Sequence, residues 1–259
     1  MNQLRLWLIR RKEIVNYVQE HFDELKSASD DSDNIKYSTK VSGIGCFSPS
    51  LINHLIHSGY KKGRLLKSKP DSQNYTEFTL NNNGNPLRMR EINRFGCDLT
   101  VYFYSDVEYT YSVPLFRDTK NDYGKNVFAY KCNNGRVIEY VEIEDCSVYL
   151  ELYTYPDNNN DIVICEMFEY LDFSMAYGTQ TEEEAERQKS FFDFLADKAT
   201  EKSNNTSQEI NTPSTKSKPK LNKFKYIIHL NKNKVSRVEE FYFKNDNWEP
   251  SGFVYCKKS

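Results

Sequence analysis

The sequence predicts an α+β fold in which helices at the N-terminus lead into a large, twisted antiparallel β-meander. Three observations predict it. Tyr and Phe number 19 and 16, an aromatic share of 14% in a chain that is only 38% hydrophobic, and such side chains favour half-buried pleated surfaces. From Tyr75 to Phe173 apolar and polar residues alternate in short runs separated by Asn- and Gly-rich turns, the pattern of strands joined by hairpins. Before that stretch the apolar spacing is helical. The 259 residues suffice for a sizeable core. They divide into a helical N-terminal region, 1–70, and a sheet region, 71–259, interrupted over 179–222 by a helix and a flexible loop.

The stretch "RRKEIVNYVQEHFDELKSA" places Ile14, Val15, Val18, Phe22 and Leu25 on one stripe, which predicts an amphipathic helix from Arg10 to Lys26. The polar loop "SASDDSDN" follows. A second helix is expected in "SPSLINHLIHSG", with Ser48 as cap, Pro49 in the first turn and Gly59 at the exit. Beyond a basic connector the hairpins begin. "YTEFTL" pairs with "LRMREI" across "NNNGNP"; "RFGCD" leads into "LTVYFYS"; "VFAYK" pairs with "RVIEYVEI", and "SVYLELYTY" with "DIVICEMFEYL". Near the C-terminus "KFKYIIHL" and "VSRVEEFYF" repeat the layout, and "EPSGFVYC" adds a last strand. The turns need positive φ, which Gly accepts and Asn tolerates, so Gly84, Gly135, Asn160 and Asn233 are the expected left-handed positions. Their spacing suggests a unit of roughly 25 residues. The inserted helix opens with a capping box, Thr181 with Glu184. The segment after it, "SNNTSQEINTPSTKSKPKLNK", has too little to bury to offset its ordering entropy, so the sheet resumes at about Phe224.

The six cysteines are scattered with no CxxC pair, which indicates reduced thiols packed on strands rather than a disulfide framework or a zinc site. The N-terminal apolar run is interrupted by Arg5 and by Arg10 to Lys12, unlike a signal peptide or a spanning helix of about 20 apolar residues. A cytoplasmic location with no membrane contact is the expectation, so the sequons at Asn74 and Asn204 carry no weight. A formal net charge of -2 argues against a dedicated nucleic-acid binder.

No stretch carries a specific catalytic or cofactor motif. His54 and His57, three apart on a helix, lack a signalled third ligand, His21 and His229 stand alone, and "GIGCFSP" lacks the third glycine and the lysine of a phosphate loop. The strand carboxylates Glu139, Glu142, Glu144, Asp145, Glu151, Glu166 and Glu169 suit the solvent face of an antiparallel sheet better than an acid–base pair. The expectation is therefore no catalytic residue, no metal and no cofactor. From Asp71 to Gly178 there are 18 acidic side chains against 8 basic ones. An acidic aromatic sheet suits a basic protein partner and repels nucleic acid. The residues expected to bind it are Glu139, Tyr140, Glu142, Tyr149, Glu151, Tyr153 and Trp248, the aromatic ones as anchors.

The stretch "FAYKCNNGRVIEYVEIEDCSVYLELYTY" resembles the tyrosine- and aspartate-rich hairpin repeat of RHS-type proteins, with Tyr130, Gly135, Arg136, Tyr153 and Tyr155 at the matching positions. Weaker echoes lie in "TLNNNGNPLRMREI" and "HLNKNKVSRVEEF". The repeats are too few for an RHS shell, and no self-cleaving segment follows, so the resemblance implies hairpin geometry and no activity. In general style, helices before an aromatic sheet in an Asn-, Lys- and Tyr-rich chain, the protein is similar to bacterial immunity proteins for secreted toxins. The function expected is a non-enzymatic protein-binding module, an immunity protein neutralising a basic toxin. The alternatives are a hydrolase using strand carboxylates and a structural part of an RHS-like assembly.

Overall fold

A computed structural model describes residues 2–56, 60–124, 126–156, 161–172, 219–232 and 234–256. Among the described residues its body is one antiparallel sheet of twelve strands, each hydrogen-bonded to the next in sequence, so that the sheet is not closed; an isolated bridge joins Tyr37 of the first strand to Leu66. The strands are β1 (Ile35–Thr39), β2 (Tyr75–Leu80), β3 (Pro86–Asn93), β4 (Gly96–Ser105), β5 (Thr110–Phe116), β6 (Val127–Asn133), β7 (Arg136–Ile143), β8 (Ser147–Thr154), β9 (Ile162–Leu171), β10 (Lys220–Asn231), β11 (Lys234–Lys244) and β12 (Asn247–Cys256). Two helices, α1 (Asn2–Glu20) and α2 (Phe22–Asp30), precede them, and a single turn of helix, α3 (Asn53–Ile56), lies between β1 and β2. Helix is thus a minor component beside the meander. The expected inserted helix, the loop through residue 218, Asn160 and Asn233 lie outside the described residues.

Several boundaries differ from the sequence reading. The first helix starts at Asn2 rather than Arg10, because Leu4, Trp7 and Leu8 extend the buried stripe backwards. It breaks at His21, whose ring stacks on Tyr17. "RFGCD" is not a strand of its own: Arg94 and Phe95 form the turn between paired Asn93 and Gly96, and Gly96 to Asp98 open β4. Strand β1 lies in the segment read as helical, and β5 went unread because Pro114 interrupts its pattern. Pairing of β5 with β6 runs from Thr110 only to Ser112, as expected where a proline removes a ladder donor. The sheet resumes at Lys220, four residues before Phe224. In the β6–β7 turn Asn134 and Gly135 have φ of 49° and 73°, the two positive values that a tight right-twisted hairpin requires.

Each face of the sheet carries its own core. On one face, Leu4, Trp7, Leu8, Ile14, Val15, Val18 and Phe22 of the helices cover Tyr102, Tyr111, Val113, Val127, Val141, Val148 and Leu150. Arg10 clamps this contact, lying over the rings of Trp7 and Tyr109 at 5.1 and 5.2 Å and donating to the Tyr111 hydroxyl at 2.7 Å.

The opposite core runs from Phe78 on β2 to Val238 on β11 and encloses Val41, Ile44 and Ile52 of the segment between β1 and β2. This segment makes the sheet roll. The Phe47 ring sits 5.0 Å from that of Phe78 on β2, while three residues later Ser50 bonds to Glu151 on β8. In a flat sheet β2 and β8 would stand about 29 Å apart, with side chains perpendicular to the plane, and three residues span at most about 10 Å. The two walls meet the segment only because the sheet curls around it as a plug. Gly45, at φ +58°, permits the tight bend; a Cβ there would lie 2.6 Å from the Val41 side chain.

Replacing Gly135 with Val should cost about 1–2 kcal/mol through backbone strain alone, since a Cβ there meets no atom within 4 Å. The change Thr154→Val at an exposed position of β8 should alter stability by less than about 0.5 kcal/mol. Chemical denaturation of both variants checks this; equal losses would remove the tight-turn assignment.

Candidate functional site

The roll brings β7 and β8 against the plug, and five of the seven predicted binding residues converge there. Alternation puts Tyr140 and Glu142 of β7 on the inner face with Tyr149, Glu151 and Tyr153 of β8, and the register sets Tyr140 opposite Glu151 and Glu142 opposite Tyr149. Glu139 faces the helices and accepts a hydrogen bond from the Tyr109 hydroxyl at 3.0 Å. Trp248 is remote, on β12, packed edge-on against Phe243 at 5.1 Å with the Lys225 ammonium 5.2 Å from its ring centre.

The expectation that strand carboxylates are solvated fails at Glu151, which is fully buried. Its Oε1 accepts hydrogen bonds from Ser50 Oγ at 2.8 Å and the Tyr149 hydroxyl at 2.7 Å, and its Oε2 accepts one from the Tyr153 hydroxyl at 2.5 Å. Tyr153 in turn accepts from the Leu51 amide at 2.9 Å, and Ser50 Oγ accepts from the Asn53 amide at 2.9 Å. Ser50, not Ser48, thus caps the turn of α3. Burial pushes the Glu151 carboxyl up to about 7, opposed by these three hydrogen bonds. Tyr140 and Tyr153 are buried as well, so they pack the interior and do not form part of the exposed surface.

Beside this network lies a cavity of about 890 Å³. Its walls include Leu99, Val101, Phe128 and Tyr149 from the sheet and Tyr60 from the connector, and four carboxylates line it: Glu91, Glu142, Glu144 and Glu169. Glu91 pairs with Lys40 at 3.7 Å. The other three have no ion pair among the described residues. Glu142 accepts from Asn126 Nδ2 at 2.5 Å, Glu144 from Ser147 Oγ at 3.1 Å and Glu169 from Asn222 Nδ2 at 3.3 Å. Burial raises the Glu142 carboxyl above its ordinary range, and Glu144 nearby adds to the shift. The outer face differs: Arg5, Arg10 and Arg11 of α1 reach Asp172, Asp106 and Asp145 at 3.9, 3.6 and 3.0 Å.

Nucleophilic chemistry finds no activated group here. Burial pushes the Cys46 thiol up to about 11 and the enclosed Cys165 thiol upward as well, so both are protonated near neutrality. All six cysteines are free thiols. Among the described residues no three His, Cys, Asp or Glu side chains converge on a metal position; the side chains of His54 and His57 lie outside the described residues. No described helix is long and apolar enough to cross a membrane. Comparison with known proteins gives no family model, no curated protein and no solved structure that matches the chain.

Sequence reasoning missed Ser50, Tyr60 and Asn126. They come from connectors with no periodic signal, and only the plug's path brings them to the sheet.

Because the folded Glu151 binds its proton more tightly than the unfolded one, its contribution is fully present below the unfolded range and is lost as pH rises through about 7. On this account stability falls by about 2–3 kcal/mol between about pH 5 and about pH 8 through this group. Urea denaturation at both pH values should show that loss largely removed in Glu151→Gln; an unchanged pH slope in the variant would contradict it.

Proposed function

We propose that this protein is a non-enzymatic binding module whose partner is a basic protein, received at the acid-lined mouth of the inner cavity. The observation that carries the reading is the division of charge between the two faces. Arginines of α1 answer the outer carboxylates, whereas Glu142, Glu144 and Glu169 on the cavity lining form no ion pair among the described residues, and Lys220 is the one cation beside four carboxylates in that lining. Carboxylates left uncompensated next to apolar walls raise the local concentration of a cationic partner and reject anions such as nucleic acid. An immunity protein that neutralises a basic toxin is the biological setting that fits this chemistry. Of the anchors the sequence suggests, half-buried Tyr149 stands at the cavity wall, whereas Tyr140 and Tyr153 are enclosed.

The hydrolase alternative has weaker support. Glu151, the carboxyl tuned closest to neutrality, is not among the residues lining the cavity and already accepts three hydrogen bonds.

The test is capture of partners from the native cell on immobilised protein, followed by binding kinetics of the retained partner. Raising salt from about 50 to about 500 mM should slow association roughly tenfold or more, since exposed charges are then screened within a few ångströms. The triple variant Glu142→Gln, Glu144→Gln, Glu169→Gln should associate slowly at low salt already. A partner whose association rate ignores both salt and these substitutions would overturn the reading.

A further inference from the structure

The cavity meets the plug at Asn53, the first residue of α3. Asn53 is 4% exposed and lines the cavity. Its backbone amide donates to Ser50 Oγ at 2.9 Å, and Ser50 donates to the buried Glu151 at 2.8 Å, so the network that places the plug also places this residue. The side-chain carboxamide of Asn53 has no hydrogen-bond partner among the described residues. A carboxamide enclosed by protein is costly when unanswered, and buried groups of this kind are nearly always paired.

The chemistry that would answer it is narrow. A carboxamide presents a donor and an acceptor side by side. A cation brings donors only and an anion acceptors only, so either leaves half of the group unanswered, whereas an uncharged lactam or cis-amide edge answers both halves in a cyclic pair. The four carboxylates on the same lining further reject an anion. Around Asn53 the walls are Leu99, Val101, Phe128, Val148 and the ring of Tyr149, a surface that favours rings and alkyl groups over water. Water at such a wall has hydrogen-bond partners on one side only, and a guest that covers the apolar surface while pairing with the amide displaces it favourably. The volume of about 890 Å³ lies within the span of roughly 300–1,000 Å³ that encloses drug-sized molecules.

We infer that the inner end of the cavity is a binding site for an uncharged, ring-bearing small molecule with a lactam-type edge, which pairs with the Asn53 carboxamide while its rings pack against Val101, Phe128 and Tyr149. The guest carries no charge, so the inference stands apart from the basic-partner reading above. Asn53 supplies the selectivity and the apolar walls most of the contact.

The test is an NMR titration of the full chain with three bicyclic probes of similar size: 2-quinolone, which has the lactam edge; N-methyl-2-quinolone, in which the donor is blocked; and 2-naphthoate, which is an anion. 2-Quinolone should give saturable shifts at the Asn53 side-chain amide, Phe128 and Tyr149, with the other two probes at least about tenfold weaker. Asn53→Leu should reduce 2-quinolone to the affinity of the N-methyl compound while changing the latter less than about twofold, a result that a merely structural role of Asn53 would not give. Leu99→Trp, which narrows the cavity, should weaken 2-quinolone about tenfold or more. Each variant is compared with its amide spectrum showing the folded chain. Should Asn53→Leu fail to fold, the three probes on the wild-type chain and Leu99→Trp decide alone. Absence of saturable shifts at the cavity, equal binding of the N-methyl compound or of 2-naphthoate, or undiminished 2-quinolone binding to a folded Asn53→Leu or Leu99→Trp chain would each overturn the inference.

Discussion

The hydrogen bonds of the Glu151 carboxylate hold the structure to its shape. A carboxyl removed from water costs several kcal/mol unless hydrogen bonds or a counter-charge replace the lost hydration. Here three hydroxyls replace it, and one of them, Ser50, belongs to the plug. The plug cannot leave β8 without stranding a buried acceptor, so the curl of β2 toward β8 is tied to that contact as well as to the apolar packing around Ile44 and Ile52. Apolar burial is non-directional and would tolerate small slips of the plug. The converging hydroxyls are directional and select one placement.

From that placement the two faces acquire different characters. The outer face is closed by helices whose arginines answer the acidic residues beneath them. The inner face is closed by a short plug that covers only part of the curled sheet, and the uncovered remainder is the cavity with its carboxylates. Among the described residues, arginines of α1 pair with three outer aspartates, while three of the four carboxylates on the cavity lining form no ion pair. The edges show a related economy of contact. Strand β1 is five residues long, and β12 carries Pro250 beside an irregular register with β11, features that discourage further strand addition. The proposed recognition at the inner cavity therefore does not compete with strand pairing along the rim.

How much of this was legible in the sequence follows from how local each signal is. The hairpin "CNNGRV" could be read because a two-residue Asn-Gly turn fixes its own geometry, and Asn134 and Gly135 hold the positive φ it requires. Strand β5 could not, since Pro114 removes the alternation that marks a strand even though β4 still pairs with it. Helix α1 was shortened because the arginines that punctuate its first turns look like a break; in three dimensions Arg10 lies over Trp7 and belongs to the packing. In the site, alternation along β7 puts Glu139 toward the helices and Glu142 on the cavity lining. Nothing in "SVYLELYTY" distinguishes Glu151 from a solvated strand glutamate, because its burial is decided by a plug a hundred residues earlier. Tyr140 and Tyr153, expected as surface anchors, are enclosed for the same reason.

The central claim is that Glu151 is a desolvated carboxylate held by the plug and its two flanking tyrosines. Its side-chain carboxyl can be followed directly by carbon-13 NMR in selectively labelled, folded protein as pH is varied. The account predicts a titration midpoint near 7, far above that of an exposed glutamate. A midpoint in the ordinary range, near about 4.3, would mean the carboxylate is hydrated, and the plug would then have to be held, and the sheet rolled, by some other contact.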